Sequence, residues 1–171
     1  MISVGLISDT HGLFRPAIAD VFRGVQLILH AGDVGGAAVL HALMAIAPTE
    51  AVYGNVDDPH DPALARERVV TLGGVTIHVS HGHELGRPTP ELVAARYSGH
   101  VLVFGHTHRA AVARLDGGRS DGDHTVLVVN PGAAGPRRFD LKPSVARLTI
   151  HLRASGGEAP RPVEVDTISL A

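Results

Sequence analysis

Five apolar, strand-like runs in this chain each lead into a short segment that places metal-ligand side chains next to glycine. The segments are Asp9-Thr10-His11, Gly32-Asp33, Gly54-Asn55, His81-Gly82-His83 and Gly105-His106-Thr107-His108. Such segments can share one site only in a fold that brings the ends of these strands together. The set therefore predicts a pocket of carboxylate, carboxamide and imidazole ligands that holds two divalent metals for hydrolysis.

The first part of the chain alternates strands and helices. Residues 2–8 and 25–31 are continuous apolar runs, which are typical of buried parallel strands. Residues 16–22 predict a short helix with proline near its start, and residues 37–46 predict an alanine-rich helix. Residues 50–53 follow as a third strand. This order predicts α/β architecture in this part of the chain.

The second part of the chain has a different pattern. Residues 68–72 and 75–80 predict a hairpin around a Gly-Gly turn. Strands are then predicted at residues 101–104, 111–115, 126–129, 145–152 and 162–168, with a helix at residues 90–97. A polar turn is predicted at residues 117–123 and a glycine-rich loop at residues 155–160. We interpret this half as antiparallel, which indicates two sheets rather than one open sheet.

Composition limits the class of protein. With 171 residues, a single domain over residues 1–171 is expected, because this length can bury a hydrophobic core. The net charge of −2 provides no basic surface for nucleic acid or anionic membranes. No apolar run approaches the roughly 18 residues of a membrane span, and residues 1–4 enter a strand pattern at once, so a cytoplasmic protein is expected. Because cysteine is absent, any metal must be held by nitrogen and oxygen.

The candidate ligands follow strand ends, which is where α/β sheets bind ligands. Five of them stand one or two residues past such an end: Asp9, Asp33, Asn55, His81 and His106. Strands that lie side by side would bring these side chains to one place. In an extended segment, residues i and i+2 point to the same face, so His11 can join Asp9 and His108 can join His106.

The chemistry of the donors favours an anionic substrate. Asp33 has two oxygens and can bridge two cations, whereas Asn55 adds a neutral oxygen. Two divalent cations would outweigh the negative charge of Asp9, Asp33 and a bridging hydroxide in a partly dry pocket. Bound metals lower the pKa of water from 15.7 toward about 7 and can hold the oxygens of a phosphoester. These features predict hydrolysis of a phosphoester, with a metal-bridging hydroxide in line with phosphorus.

The order of these motifs resembles that of the calcineurin-like metallophosphoesterase superfamily. The strings GNVD at residues 54–57, SHGH at residues 80–83 and NPG at residues 130–132 are similar to its small phosphodiesterase branch of the YfcE type. The resemblance runs from residue 2 to about residue 137. It implies an α/β fold in which a two-sheet β-sandwich is flanked by helices, as four α-β-β-α layers. It also implies that one metal is bound by Asp9, His11, Asp33 and His108, and the other by Asp33, Asn55, His81 and His106.

Other positions depart from the family pattern. Larger members of the superfamily carry histidine directly after the asparagine, where it assists the leaving group, but here that residue is Val56. His83 and Asp57 are the candidate catalytic acids, and His83 is preferred because an imidazolium can donate a proton and contact a phosphate oxygen. Alternatively, His83 forms a hydrogen bond that holds His81, and Asp57 fixes a loop.

The expected substrate contacts are Arg137 and Asn55. A serine expected after the NPG string in this branch is replaced by Ala133, so any hydroxyl contact there is lost. Asn130 belongs either to an ordinary turn or to the site. His30 either donates a hydrogen bond to a ligand carboxylate or packs within its strand.

The resemblance implies a hydrolase that uses two divalent metal ions on a small phosphoester, with phosphodiesters preferred. Manganese is our first choice of metal, and iron, zinc and nickel also suit mixed nitrogen and oxygen ligands. Two alternatives are open: a phosphomonoesterase, and a non-catalytic scaffold of the same fold, such as the retromer subunit. The seven filled ligand positions argue against the scaffold. A homo-oligomer is compatible with the sheet edges of small members.

Overall fold

Two β-sheets face each other in the computed structural model, which describes residues 1–116, 125–152 and 162–170. The predicted polar turn at residues 117–123 and the predicted glycine-rich loop at residues 155–160 lie outside the described residues. The first sheet has six strands and the second has five. This arrangement confirms the predicted two-sheet α/β fold.

The elements of the described ranges follow the predicted order. The strands are β1 (Ile2–Ile7), β2 (Leu27–His30), β3 (Thr49–Val52), β4 (Leu64–Ala65), β5 (Glu67–Leu72), β6 (Val75–Ser80), β7 (Val101–Val103), β8 (Ala111–Asp116), β9 (Thr125–Asn130), β10 (Ser144–Ile150) and β11 (Val163–Ser169). The α-helices are α1 (Ala17–Val21), α2 (Ala37–Met44) and α3 (Pro90–Arg96), and a 3₁₀ turn spans His83–Leu85. The short strand β4 and the 3₁₀ turn were not predicted.

Both sheets mix parallel and antiparallel pairs. The first sheet has the order β11-β10-β1-β2-β3-β4, with β1 to β4 parallel and the pairs β1–β10 and β10–β11 antiparallel. The second has the order β5-β6-β7-β9-β8, in which β6, β7 and β9 are parallel. The interpretation of the second half as antiparallel is therefore wrong for these three strands. The crossover through α3 returns the chain to the start of the sheet, so β7 runs in the direction of β6.

Alternation along the strands creates the layers. In β1, Val4 and Leu6 point into the core between the sheets, while Ile7 packs with the helices of the outer face. Gly5 also faces that side, where a Cβ atom would lie 3.0 Å from the ring of Phe22. The helices α1 and α2 cover the first sheet, and α3 covers the second, so four α-β-β-α layers result.

The outer helix α3 illustrates how the sequence sets an element boundary. The Thr89 hydroxyl accepts a hydrogen bond from Leu92 N at 3.3 Å, and Pro90 occupies the first turn. Val93 packs on Leu102 of the second sheet and on Phe104, which directly follows β7. In residues 1–116, 125–152 and 162–170, no helix has the length and apolar character needed to cross a membrane.

Candidate metal centre

The parallel strands of both sheets end at the same edge of the sandwich, and the candidate ligands follow these ends. Backbone hydrogen bonds join the loops within each sheet: Asp9 N donates to the Gly32 carbonyl at 2.9 Å. Likewise, Gly105 N donates to the His81 carbonyl at 3.1 Å. The structure brings all seven predicted metal ligands together at this edge: Asp9, His11, Asp33, Asn55, His81, His106 and His108.

Four of these side chains form a first donor group: Asp9, His11, Asp33 and His108. One donor atom from each lies within 4.8 Å of all the others. His11 Nε2 is 3.4 Å from His108 Nε2 and 3.7 Å from Asp33 Oδ2. His108 Nε2 is 3.2 Å from Asp9 Oδ1. Ligands that bind one cation at about 2.0–2.2 Å stand roughly 3.0–3.4 Å apart, so the group has nearly the spacing of a metal site.

The environment of Asp9 shows whether a cation fits this group. Its side chain is fully buried, and its Oδ2 accepts hydrogen bonds from Ser8 Oγ at 2.6 Å and His106 N at 3.1 Å. Its Oδ1 faces His11 and His108 and has no hydrogen-bond donor in the part of the chain that the structure describes. A buried polar atom without a partner costs about 1–3 kcal/mol, and more when it is charged. A divalent metal would satisfy this oxygen, so the donor set fits one.

The other ligands form a second donor group: Asp33, Asn55, His81 and His106. Asn55 Oδ1 is 3.1 Å from His81 Nε2 and 3.1 Å from His106 Nδ1. Asp33 Oδ2 is 3.4 Å from His81 Nε2. The same Asp33 oxygen also faces His11 of the first donor group, while Asp33 Oδ1 accepts a hydrogen bond from Val56 N at 3.1 Å. The two donor groups therefore adjoin at a single carboxylate oxygen.

The hydrogen bonds of His81 leave one ring nitrogen available as a ligand. His81 Nδ1 lies 2.7 Å from the Ala31 carbonyl, so this nitrogen carries an N–H, and in the neutral ring the lone pair of Nε2 points at the second donor group. This contact, rather than His83, holds the His81 ring. Burial opposes protonation of His81, but the contact with Asp33 and the charges of Asp9 and Asp33 leave its pKa raised.

Electrostatics keep other ligands in the state that binds metal. Burial alone would raise the pKa of Asp33, but the interaction with His81 outweighs it and lowers that pKa to about 2. Burial lowers the pKa of His11 and of His106. At neutral pH, Asp33 is therefore a carboxylate, and both histidines offer lone pairs.

The ligand loops adopt unusual backbone conformations. Among the described residues, six non-glycine residues have a positive φ, and five of these are candidate ligands: Asp9 (53°), His11 (45°), Asp33 (53°), His106 (69°) and His108 (60°). Close packing explains two of the glycines in the motifs. A Cβ atom on Gly54 would lie 2.0 Å from Asp33 Oδ1, and one on Gly105 would lie 2.0 Å from Ser8 Oγ.

Asp57 lies beside the site but is engaged with the backbone. Its carboxylate accepts hydrogen bonds from Val34 N at 3.0 Å, Gly35 N at 2.9 Å and Gly54 N at 2.8 Å. These bonds tie the loop after β2 to the loop after β3. The contacts support the loop-fixing interpretation of Asp57, because the oxygens that would carry a transferable proton are occupied as acceptors.

Two buried polar residues support the ligand loops. Asn130 Nδ2 donates to the Gly105 carbonyl at 3.1 Å and to Thr107 Oγ1 at 3.0 Å, so this residue holds the loop that carries His106 and His108. His30 Nε2 lies 2.9 Å from Thr10 Oγ1. His30 therefore holds the loop between two ligands instead of donating to a ligand carboxylate.

His83 borders the second donor group without being one of its ligands. Its ring centroid is 5.3 Å from that of His81 and 6.4 Å from that of His106. Its Nδ1 is 3.7 Å from Glu84 Oε2, and the side chain is partly exposed. His83 is therefore placed next to the group that would hold the second metal.

A basic segment lies beside the first donor group. Arg137 and Arg138 line a small cavity together with His108 and Ala133. Burial lowers the pKa of His11 against the opposing charges of Asp33 and Asp9, and the positive charge of Arg138 lowers it further, so Arg138 is near enough to act on this group. Arg138 was missed, because two adjacent arginines in a loop give no signal of which one faces the site.

Comparisons with known proteins agree with this geometry. Residues 2–153 match the family model of the calcineurin-like phosphoesterase superfamily domain. A probable metallophosphoesterase of Methanothermobacter thermautotrophicus is 33% identical over 156 residues, which cover 85% of this chain and 80% of that protein. A probable metallophosphoesterase of Methanocaldococcus jannaschii is 32% identical over 157 residues, which cover 86% of this chain and 75% of that protein.

A solved structure extends the agreement to the fold. Wild-type Vps29 of Entamoeba histolytica, complexed with Zn²⁺, aligns with a TM-score of 0.72 at 21% sequence identity. The alignment covers 98% of this chain and 99% of that one. From the family match over most of the sequence and the two relatives above 30% identity, we conclude that this chain belongs to the calcineurin-like phosphoesterase superfamily.

Proposed function

We propose that this protein is a dinuclear, metal-dependent phosphodiesterase. One observation carries the proposal: Asp33 Oδ2 is common to two donor groups, at 3.7 Å from His11 Nε2 and 3.4 Å from His81 Nε2. A carboxylate between two sets of nitrogen and oxygen donors suits two adjacent metal ions. Divalent cations bound there would supply Lewis-acid polarisation of a phosphoryl group and would make water acidic enough to ionise near neutral pH.

The assignment of ligands follows the two donor groups. We assign the first ion to Asp9, His11, Asp33 and His108, and the second ion to Asp33, Asn55, His81 and His106. Only two of these seven donor residues are anionic. The positive charge of two divalent ions would therefore exceed the negative charge of the ligands, and the excess would attract a phosphate ester. The mixture of imidazole, carboxylate and amide donors suits manganese, our first choice, as well as iron, zinc or nickel.

The preference for a diester over a monoester rests on the resemblance of the GNVD, SHGH and NPG strings to the small phosphodiesterase branch of the family. The cavity beside His106 has a volume of about 690 Å³ and offers space for one organic arm of an ester. The cavity beside His108 has a volume of about 10 Å³, which is the space of about one water molecule. The comparison of diester and monoester rates therefore tests this preference.

The side chains around the donor groups complete the proposed mechanism. Asn55, Arg137 and Arg138 bind the phosphate oxygens that are not part of the scissile bond between phosphorus and the leaving group. His83 Nε2 donates a proton to the departing oxygen or a hydrogen bond to the phosphate. Replacement of His83 with glutamine is expected to slow hydrolysis of alkyl esters more than that of p-nitrophenyl esters, whose leaving group needs no proton. Equal slowing of both would contradict this role.

The test uses metal-depleted protein that is reloaded with Mn²⁺. The rate of hydrolysis of bis(p-nitrophenyl) phosphate is expected to rise on addition of metal and to exceed the rate for p-nitrophenyl phosphate. Asp33→Asn is expected to lower kcat/KM by more than about 100-fold, because even residues that only orient metal ligands commonly contribute 10–100-fold. Asp20→Asn is the matched control, since Asp20 is exposed on α1 and paired with Arg23.

The same assay separates the two alternatives. The Vps29 structure holds Zn²⁺ in this fold, so metal binding by itself does not identify an enzyme. Bound metal measured by elemental analysis, together with no turnover of either ester, would favour a non-catalytic scaffold. Faster hydrolysis of the monoester than of the diester would favour a phosphomonoesterase.

A further inference from the structure

The cavity beside the second donor group has features that the proposed reaction does not require. Its volume is about 690 Å³, and His106 and Thr107 line one part of it. Pro88 and Phe104, both buried, also contribute to its wall. Because His106 belongs to the second donor group, an ester bound there would extend one arm into this cavity.

The cavity carries positive charge that no nearby carboxylate balances. Arg87 and Arg109 line it, and both side chains are exposed. Within residues 1–116, 125–152 and 162–170, no carboxylate oxygen lies within 4.0 Å of either guanidinium, and the cavity wall contains no Asp or Glu. By contrast, Arg23 pairs with Asp20 and Arg68 pairs with Glu50.

This local charge differs from that of the whole chain. The net charge of the chain is −2, whereas the wall of this cavity carries Arg87 and Arg109 and no acidic residue. Their distribution is also too narrow for a polynucleotide, which needs a basic track along many phosphates. Two arginines match one phosphate group, because guanidinium groups donate paired hydrogen bonds to its oxygens.

We propose that this cavity binds a second phosphate of the substrate, which makes the substrate class a small diester that also carries a phosphate monoester, such as a nucleoside bisphosphate in which one of the two phosphates is esterified. This inference rests on the proposed phosphodiesterase function. Arg87 and Arg109 bind the second phosphate, and Pro88 and Phe104 contact the carbon skeleton between the two phosphates. The scissile phosphate lies at the donor groups.

Kinetics on a matched pair of substrates test the inference. The pair is the p-nitrophenyl ester of thymidine 5′-phosphate and the same ester with an added 3′-phosphate, which share one leaving group. The added phosphate is expected to raise kcat/KM by at least about tenfold, and Arg87→Ala or Arg109→Ala is expected to remove most of that preference. Arg23→Ala is the matched control and should keep the wild-type ratio. Equal kcat/KM for the two esters would overturn the inference while leaving the phosphodiesterase function intact.

A binding measurement keeps the inference testable even if no ester is hydrolysed. Isothermal titration of the Zn²⁺-loaded protein compares thymidine 3′,5′-bisphosphate with thymidine 5′-monophosphate, whose single phosphate is expected to bind at the metals. We expect tighter binding of the bisphosphate, loss of the difference in Arg87→Ala, and NMR shift changes at the amides of Gly86 and Ala111, which also line the cavity. Equal affinities would refute the second phosphate site, and tighter binding of a thymidine decamer would refute a small substrate.

Discussion

Lowering the pH from 7 to 4 is expected to destabilise the metal-free protein through one buried histidine, His30. Its side chain is fully buried, and both ring nitrogens have partners. Nδ1 accepts a hydrogen bond from Gly32 N at 3.2 Å, and Nε2 lies 2.9 Å from Thr10 Oγ1. Because the Thr10 hydroxyl donates to the Val34 carbonyl at 2.8 Å, His30 Nε2–H must be the donor to Thr10. A second proton on Nδ1 would face the Gly32 N–H.

The size of this loss in the free energy of unfolding follows from the pKa of His30. Burial lowers this pKa from 6.5 to about 4. Between these two values the unfolded chain binds a proton at His30 and the folded chain does not, so the free energy of unfolding falls as the pH falls through this window. The difference of about 2.5 in pKa corresponds to a loss of about 3 kcal/mol when the pH reaches 4.

Urea unfolding between pH 7.5 and 4, in the presence of a chelator, measures this loss. His30→Gln cannot titrate, so its free energy of unfolding should fall by about 3 kcal/mol less than that of the wild type. The remaining histidines, including the candidate ligands, titrate in both proteins, so their contributions cancel in the comparison. His41→Gln, at an exposed position in α2, should follow the wild type. Parallel pH profiles for His30→Gln and the wild type would refute a neutral, buried His30.

Two further predictions concern the backbone of the ligand loops. Gly54→Ala places a Cβ atom 2.0 Å from Asp33 Oδ1, so we expect elemental analysis to show loss of bound metal. Gly24→Ala is the control for backbone strain, because Gly24 has φ 79° and a Cβ there meets no atom within 4 Å; this variant should bind the wild-type amount of metal. Because His11 has φ 45°, metal-free His11→Gly should be about 1 kcal/mol more stable to urea than His11→Ala, and the reverse order would show that this conformation carries no strain.

The donor set was predictable because it depends on residue type and order. Each ligand follows an apolar run, and runs of this kind form the parallel strands β1, β2 and β3 in the structure. Glycine beside a ligand also has a structural reason, because a Cβ atom on Gly54 would collide with Asp33 Oδ1. The apolar runs and the residues that follow them were therefore enough to predict that these groups lie at strand ends.

Long-range contacts were not predictable in the same way. The direction of β7 depends on the crossover through α3, and a two-residue strand such as β4 has no periodicity to detect. Asp57 and Asn130 are polar residues in turn-like segments, and their sequences do not say whether they face substrate or backbone. Their roles depend on amide and carbonyl groups that are up to 25 residues away along the chain.

The positive φ values of the ligands connect these supporting contacts to metal binding. Each non-glycine residue in this region costs on the order of 1 kcal/mol or more, and five ligands share the cost. The conformation persists only where neighbouring groups hold the loop, as the bond from His11 N to the Asp33 carbonyl at 2.9 Å and the three bonds of Asp57 do. The loops are thus held in the binding conformation by hydrogen bonds that need no metal. Ion binding to a preorganised site of this kind does not have to order the ligands first, so it avoids that loss of conformational entropy. The buried hydrogen bonds around the donor atoms provide this order.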